Sequence, residues 1–328
     1  MFMRRAILSL CSCLLAVVAM AADPAVAQSY PSKVVKIIVP FPAGGLTDVL
    51  ARAIGQELTK TWGQQVVVEN RPGANTIIAA EATAKSAADG YTMLMANDVT
   101  TSSNQYLYSK LPYDPVKDFA AVINIAETVE ILVANPAFPA KTLPELIALA
   151  KAKPGVITYG SYGLGSKAHL DTEAVAIATG IKLNHVPYKG VADVVPALMG
   201  GQIDIGLVGI PPVISAVRSG KLRAIAYAGK ARSPLFPDVP TFAEAGLFNI
   251  EARAWFGFVV PAATPRPVIN KIAADVSRII TQPEFMEKFI TGVGLNLLNQ
   301  GPDQFAEFLK ADRADYAVRV KNVNVKLD

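Results

Sequence analysis

The sequence predicts an α/β fold in two lobes. Three observations carry that expectation. The chain has 328 residues, more than one compact core of ordinary size accommodates. Short β-branched runs alternate with helical patterns, which argues for a parallel sheet covered by helices. Twice, far apart in the chain, an apolar strand runs into a glycine turn from which a helix starts at once.

The elements follow in order. A strand over Val34 to Val39 is followed by Pro40-Phe41-Pro42-Ala43-Gly44-Gly45, and Val49, Leu50, Ala53, Ile54 and Leu58 then mark a helix to about Trp62. Gly63 stops it. A strand is expected over Gln65 to Asn70, a helix over Thr76 to Ser86 and a strand over Tyr91 to Ala96. The polar run Asn97 to Asn104 then sits at the carboxyl end of a parallel strand, where open α/β sheets bind ligands. Phe119 to Ile125 and Ile131 to Ala134 read as two apolar segments, followed by a helix over Leu143 to Lys151 with Pro144 in its first turn. Val156 to Tyr159 is a strand, and Gly160-Ser161-Tyr162-Gly163-Leu164-Gly165-Ser166 leads into a helix that ends at Gly180. Further alternation gives a helix over Ala192 to Met199, a strand over Ile203 to Val208, a helix from Pro211 to Gly220 and a strand over Leu222 to Ala228. Arg253 to Val260 is one more strand. Helices over Val268 to Thr281 and Pro302 to Val320 close the chain.

The N-terminus predicts export. Arg4 and Arg5 precede an apolar run from Ala6 to Met20, and Ala25-Val26-Ala27 is an A-x-A cleavage signal, so residues 1–27 read as a signal peptide. Cleavage removes two basic residues and one acidic one, leaving a formal charge of +3 instead of +4. It also removes Cys11 and Cys13, the only cysteines, so thiol catalysis, disulfides and cysteine-ligated metals drop out. The basic residues form no stripe with aromatics, so nucleic acid is not an expected partner.

Catalytic sets are thin. The G-x-S-x-G elbow is absent around Ser161 and Ser166. His169 and His185 are the only histidines, and no cluster has metal-ligand spacing, so no catalytic residue, cofactor or metal is assigned. Gly163-Leu164-Gly165-Ser166-Lys167-Ala168 fits a dinucleotide turn, but Leu183 to Val186 lacks the acid that would hold a ribose. What remains is anion binding. The first N–H groups of two helices, each preceded by a glycine turn and hydroxyl residues, could each hold one end of an acid without a buried counter-charge.

These residues match a known family. The mature chain resembles the substrate-binding proteins of tripartite tricarboxylate transporters, often called Bug proteins, through several motifs. They are Pro40-Phe41-Pro42-Ala43-Gly44-Gly45-Leu46-Thr47-Asp48, Val68-Glu69-Asn70-Arg71-Pro72-Gly73-Ala74, Asp89-Gly90-Tyr91-Thr92 and Leu111-Pro112-Tyr113-Asp114-Pro115. Tyr159-Gly160-Ser161, Gly165-Ser166, His185-Val186-Pro187-Tyr188-Lys189-Gly190 and Pro237-Asp238-Val239-Pro240-Thr241 continue the match. The resemblance implies a type II periplasmic-binding-protein fold, two α/β lobes joined by two crossing strands with a ligand cleft between them. Lobe 1 would be residues 29–130 plus 253–328, and lobe 2 residues 131–252. It implies that Phe41, Ala43, Gly44, Gly45 and Thr47 line one side of the ligand, and Ser161, Gly165 and Ser166 the other. Asp48 reads as a cap and loop brace, because a carboxylate facing a carboxylate ligand would repel it.

One departure bears on specificity. Family members that bind amino acids tend to place an acid or amide after the strand that here ends Val208-Gly209-Ile210. The expected ligand is therefore a di- or tricarboxylate or aromatic acid without a free amine. The implied protein is a periplasmic monomer that passes its ligand to membrane permease subunits. A hydrolase or lyase working in the same cleft, and a receptor feeding a sensor kinase, are the alternatives.

Overall fold

The computed structural model describes residues 30–248, 252–323 and 325–327. The expected signal peptide lies outside them. β1 (Val35–Val39) is buried almost throughout and pairs in parallel with β2 (Val66–Asn70) and β3 (Thr92–Ala96). Between β1 and β2 runs α1 (Leu46–Trp62), which buries Leu50, Ala53, Ile54 and Leu58 of the residues that the sequence spacing marks, whereas Val49 is exposed. Leu50, Ile54 and Leu58, fully buried, each contribute about 1.5–3 kcal/mol. Gly63 ends α1 at φ 63°, where only glycine is unstrained, and its N–H bonds the Thr59 carbonyl. α2 (Ile77–Ala84) and the four-residue α3 (Asn104–Leu107) complete this part.

The sequence reads two apolar segments between Phe119 and Ala134, but the structure has one continuous strand. β4 (Phe119–Ala134) runs antiparallel to β9 (Arg253–Pro261) from Phe119 to Val129, and from Glu130 to Ala134 it pairs with β7 (Ile205–Gly209). Asn124, Thr128 and Glu130 interrupt the hydrophobic pattern there, yet all three are buried. The interruption marks where the strand passes from one half of the molecule to the other. The chain returns at Ala252, whose carbonyl accepts the Glu130 N–H, directly before β9.

Beyond β4 come α4 (Leu143–Ala152), β5 (Thr158–Ser161), α5 (Lys167–Thr179), β6 (Asn184–Pro187), α6 (Val191–Met199), β7, α7 (Ile214–Arg218) and β8 (Arg223–Tyr227). After β9 follow α8 (Arg266–Ile280), α9 (Pro283–Phe289), β10 (Asn296–Gln300) and α10 (Pro302–Val323). The ten described strands form one curled sheet in the order β2-β1-β3-β9-β4-β7-β5-β6, with β8 and β10 also on β4. The sheet is mixed rather than parallel, because β9, β7, β8 and β10 all meet β4 antiparallel. Sequence alternation identifies βα units but not the direction in which a returning strand enters.

Two main cores result. One draws on residues 129–252 alone; the other joins Val35 to Ala126 with Phe256 to Leu295. α10 lies over Trp255 through Phe305 and Leu309, and its far end packs Tyr316 and Val320 against Leu107 and Leu170 of α5. The last helix therefore touches both halves.

Candidate functional site

The first glycine turn stands open and is braced from behind. Ala43 and Gly44 are exposed and Phe41 and Gly45 half-buried, whereas Thr47 is buried. Gly45 is the N-cap of α1, in extended backbone with no side-chain cap, so the orphan N–H groups of the first turn are left to an outside acceptor. Asp48, three residues into the helix, reaches back: its Oδ2 accepts from the Gly44 N–H and Arg52 Nε, each at 2.9 Å. Asn70, at the end of β2, donates to Asp48 Oδ1 at 2.8 Å and to the Phe41 carbonyl at 3.0 Å, and accepts from Arg52 Nη2 at 2.8 Å. Burial pushes the Asp48 carboxyl up, but hydrogen bonds from Arg52, Gly44 and Asn70 hold it below the usual carboxylate range. Asp48 is a brace, and Asn70 explains one of the motifs.

The second turn exposes Leu164 at its tip but buries Ser161, Gly165 and Ser166, and its donors meet acceptors of its own. The Gly163 N–H donates to Ser161 Oγ at 3.2 Å, and the Gly165 N–H to His169 Nδ1 at 3.0 Å. Ser166, the N-cap of α5, sends its hydroxyl to the Gly163 carbonyl at 2.7 Å, so α5 also begins without a side-chain cap. Gly165 has φ +71°, and a Cβ there would lie 2.8 Å from Leu107 and from Leu327, so this turn presses on the other half of the molecule.

Ser161 and His185 form a pair that sequence reasoning does not bring together. Ser161 Oγ lies 2.6 Å from His185 Nε2, because β5 and β6 run in parallel register, and His185 is sandwiched between Tyr159 and His169. Burial pushes both histidines down to about 4, with His169 adding to the effect on His185, so both rings are neutral near pH 7. Ser161 is fully buried and is also held by Gly163. The arrangement stiffens the turn.

A polar network fills the junction between the halves. The run Asn97 to Asn104, which follows β3, is wholly buried, mostly as a turn of π-helix and the start of α3. Asp98 accepts from the Tyr316 hydroxyl, and Asp312 accepts from Ser102 Oγ at 2.5 Å and Trp255 Nε1 at 3.1 Å. Asp171 of α5 holds Lys167 and Arg319, each at 2.5 Å. Burial pushes Asp98 up to about 6. Two cavities, of about 550 and 350 Å³, lie among residues 105–118 and beside α10, and none of the eight predicted ligand residues lines either. Among the described residues no group of His, Cys, Asp and Glu could hold a metal, and no helix is long and apolar enough to span a membrane.

A curled mixed sheet threaded by one long shared strand, with uncapped helix N-termini at the carboxyl ends of β1 and β5, is the architecture of the periplasmic binding proteins, among them BugD, which superposes with a TM-score of 0.83 at 30% identity over 90% of this chain and 99% of that one. Residues 50–325 match the model of the tripartite tricarboxylate transporter family receptor, and the chain belongs to that family. Protein BugT of Bordetella pertussis is 36% identical over 307 residues, covering 93% of this chain and 94% of BugT. The structure of R. palustris Rpa4515 with adipate superposes with a TM-score of 0.85 at 31% identity, over 90% of this chain and 99% of that one. MatC from Rhodopseudomonas palustris with bound malate gives 0.82 at 32% identity, over 89% and 100% of the two chains.

Proposed function

We propose that this receptor captures a small organic carboxylate, a di- or tricarboxylate or an aromatic acid without a free amine. It would deliver the ligand to the permease subunits of a tripartite transporter after export to the periplasm as a monomer. The observation that carries the reading is the pair of uncapped helix starts, at Gly45 and Ser166, on strands β1 and β5 of one sheet. First-turn N–H groups hold a carboxylate without a buried cation. Phe41, Ala43, Gly44, Gly45 and Thr47 would line one lobe's side, and Ser161, Gly165 and Ser166 the other's, with residues 29–130 plus 253–328 and residues 131–252 as the two lobes. Relatives solved with adipate and malate support the ligand class.

Gly45→Val tests the site. A Cβ at Gly45 meets only the Pro42 carbonyl at 3.8 Å and the backbone is extended, so the variant should fold. In calorimetric titration with malate and adipate the wild type is expected to bind at least one, and the variant neither. Retained affinity would make this turn purely structural. Aspartate or glutamate binding more tightly than plain dicarboxylates would overturn the amine-free assignment.

A further inference from the structure

The strand ending Val208-Gly209-Ile210 carries no acid, but its cross-strand neighbour does. Glu130 of β4 is the registered partner of Gly209, the last residue of β7. Its backbone is pinned on both sides, the N–H donating to the Ala252 carbonyl at 2.8 Å and the carbonyl accepting from Ala228 at 2.9 Å. The residue is 1% exposed, and its Oε2 has no hydrogen-bond partner among the described residues. A buried carboxyl oxygen left unmet is costly, and such a group calls for an explanation, a bound partner being one.

The surroundings place Glu130 where the two halves meet. Asp98 at the carboxyl end of β3, Lys167 and Asp171 of α5, and Arg319 of α10 are the charged groups that act on it, and Tyr162, directly after β5, feels it in turn. The carboxyl ends of β3, β5 and β7 are the edge at which open α/β sheets hold ligands. Asp171 already engages both Lys167 and Arg319, so neither cation is dedicated to Glu130. Burial, then the Asp171 and Asp98 carboxylates, push the Glu130 carboxyl well above the ordinary range, against the pull of Lys167 and Arg319. A carboxyl that keeps its proton is a donor, which an ionised one is not.

We propose that Glu130 is a specificity-determining residue of the carboxylate site, its side-chain O–H donating a hydrogen bond to an oxygen of the bound acid. The inference rests on the carboxylate-receptor reading. It also explains how a receptor with an acid at its centre can accept an anion: the acid contributes a proton to the contact and no charge. An ionised Glu130 would instead pair with an ammonium group, which reverses the selectivity.

Three proteins and three probes separate these outcomes: wild type, Glu130→Gln and Glu130→Leu, each titrated with malate, adipate and aspartate. The amide of Glu130→Gln still donates, so its affinity for the preferred dicarboxylate should stay within about threefold of wild type, whereas Glu130→Leu should lose roughly tenfold to a hundredfold. As pH rises through the raised range in which the Glu130 carboxyl loses its proton, the wild-type affinity should fall, while Glu130→Gln shows no such fall. Melting curves with no probe added check that both variants fold; Glu130→Leu removes an unmet buried polar group and should be at least as stable as wild type, while Glu130→Gln keeps a polar group there and should stay close to it. Wild type binding a dicarboxylate, with Glu130→Leu binding it equally well, overturns this inference and leaves the receptor reading standing. Loss of binding in Glu130→Gln together with preferred binding of aspartate by wild type shows an ionised partner and overturns it too. If wild type binds none of the three probes, and neither citrate nor benzoate, the receptor reading itself fails; if it binds only one of those two, the same three proteins are titrated with that acid.

Discussion

The two glycine turns look alike in sequence and differ in physics. The turn at Gly44-Gly45 is exposed, and its shape is maintained from behind by a carboxylate, a guanidinium and an amide, Asp48, Arg52 and Asn70. The turn at Gly163-Leu164-Gly165 leaves Leu164 exposed but buries both of its flanks, Ser161 and Gly165-Ser166, and its own Ser161 and His169 accept its N–H groups. The first turn is therefore held by groups that can be removed one at a time, and the second by packing. A glycine turn before a helix says where N–H groups are, not whether they are already used.

That contrast can be tested in three places. Gly165→Val forces a β-branched side chain to φ +71° against Leu107 and Leu327, which should cost about 3 kcal/mol in urea unfolding. A smaller loss than at Asp48 would reverse the comparison. Asp48→Ala removes the acceptor for Gly44, Arg52 and Asn70, and should cost about 2 kcal/mol while also weakening dicarboxylate binding. An unchanged melting temperature would mean that the open turn stands without its brace.

The smallest effect is in pH. His169 and His185 titrate at about 4 in the folded protein, against about 6.5 in an unfolded chain, so folding is disfavoured once protons are available to the unfolded state. Their contribution is complete above pH 6.5 and is lost as pH falls toward 4. Melting temperature should decline over that interval, and less steeply in His185→Gln. Parallel slopes for the two proteins would remove the histidine stack from the account of the second turn.

Much of this was legible in the sequence. The Gly45 and Ser166 helix starts, the amphipathic face of α1, the stops at Gly63 and Gly180 and the bracing role of Asp48 follow from local rules of period, capping and charge. The family followed from the motifs. In sequence β4 reads as two segments, because buried polar residues at a junction look like a loop when only neighbours in sequence are considered. β10 escaped because Asn296-Leu297-Leu298-Asn299-Gln300 is short and polar-ended, and only its antiparallel partner β4 makes it a strand. The Ser161–His185 contact and the Glu130–Gly209 register depend on which strands lie side by side. Pairing between distant strands leaves no local trace.

The single long strand β4 has a consequence for the order of folding. Every residue in the core of the second half falls between Val129 and Ala252, one unbroken stretch. The first half needs β9 beside β3, with Leu94 opposite Val259, and α10 over Trp255. Closing that much longer loop carries the larger entropy cost and must wait for the last segment of the chain. The middle of the polypeptide can thus finish its core while its two ends are still searching for each other, and β4, already anchored at Ala134, becomes the template on which they meet.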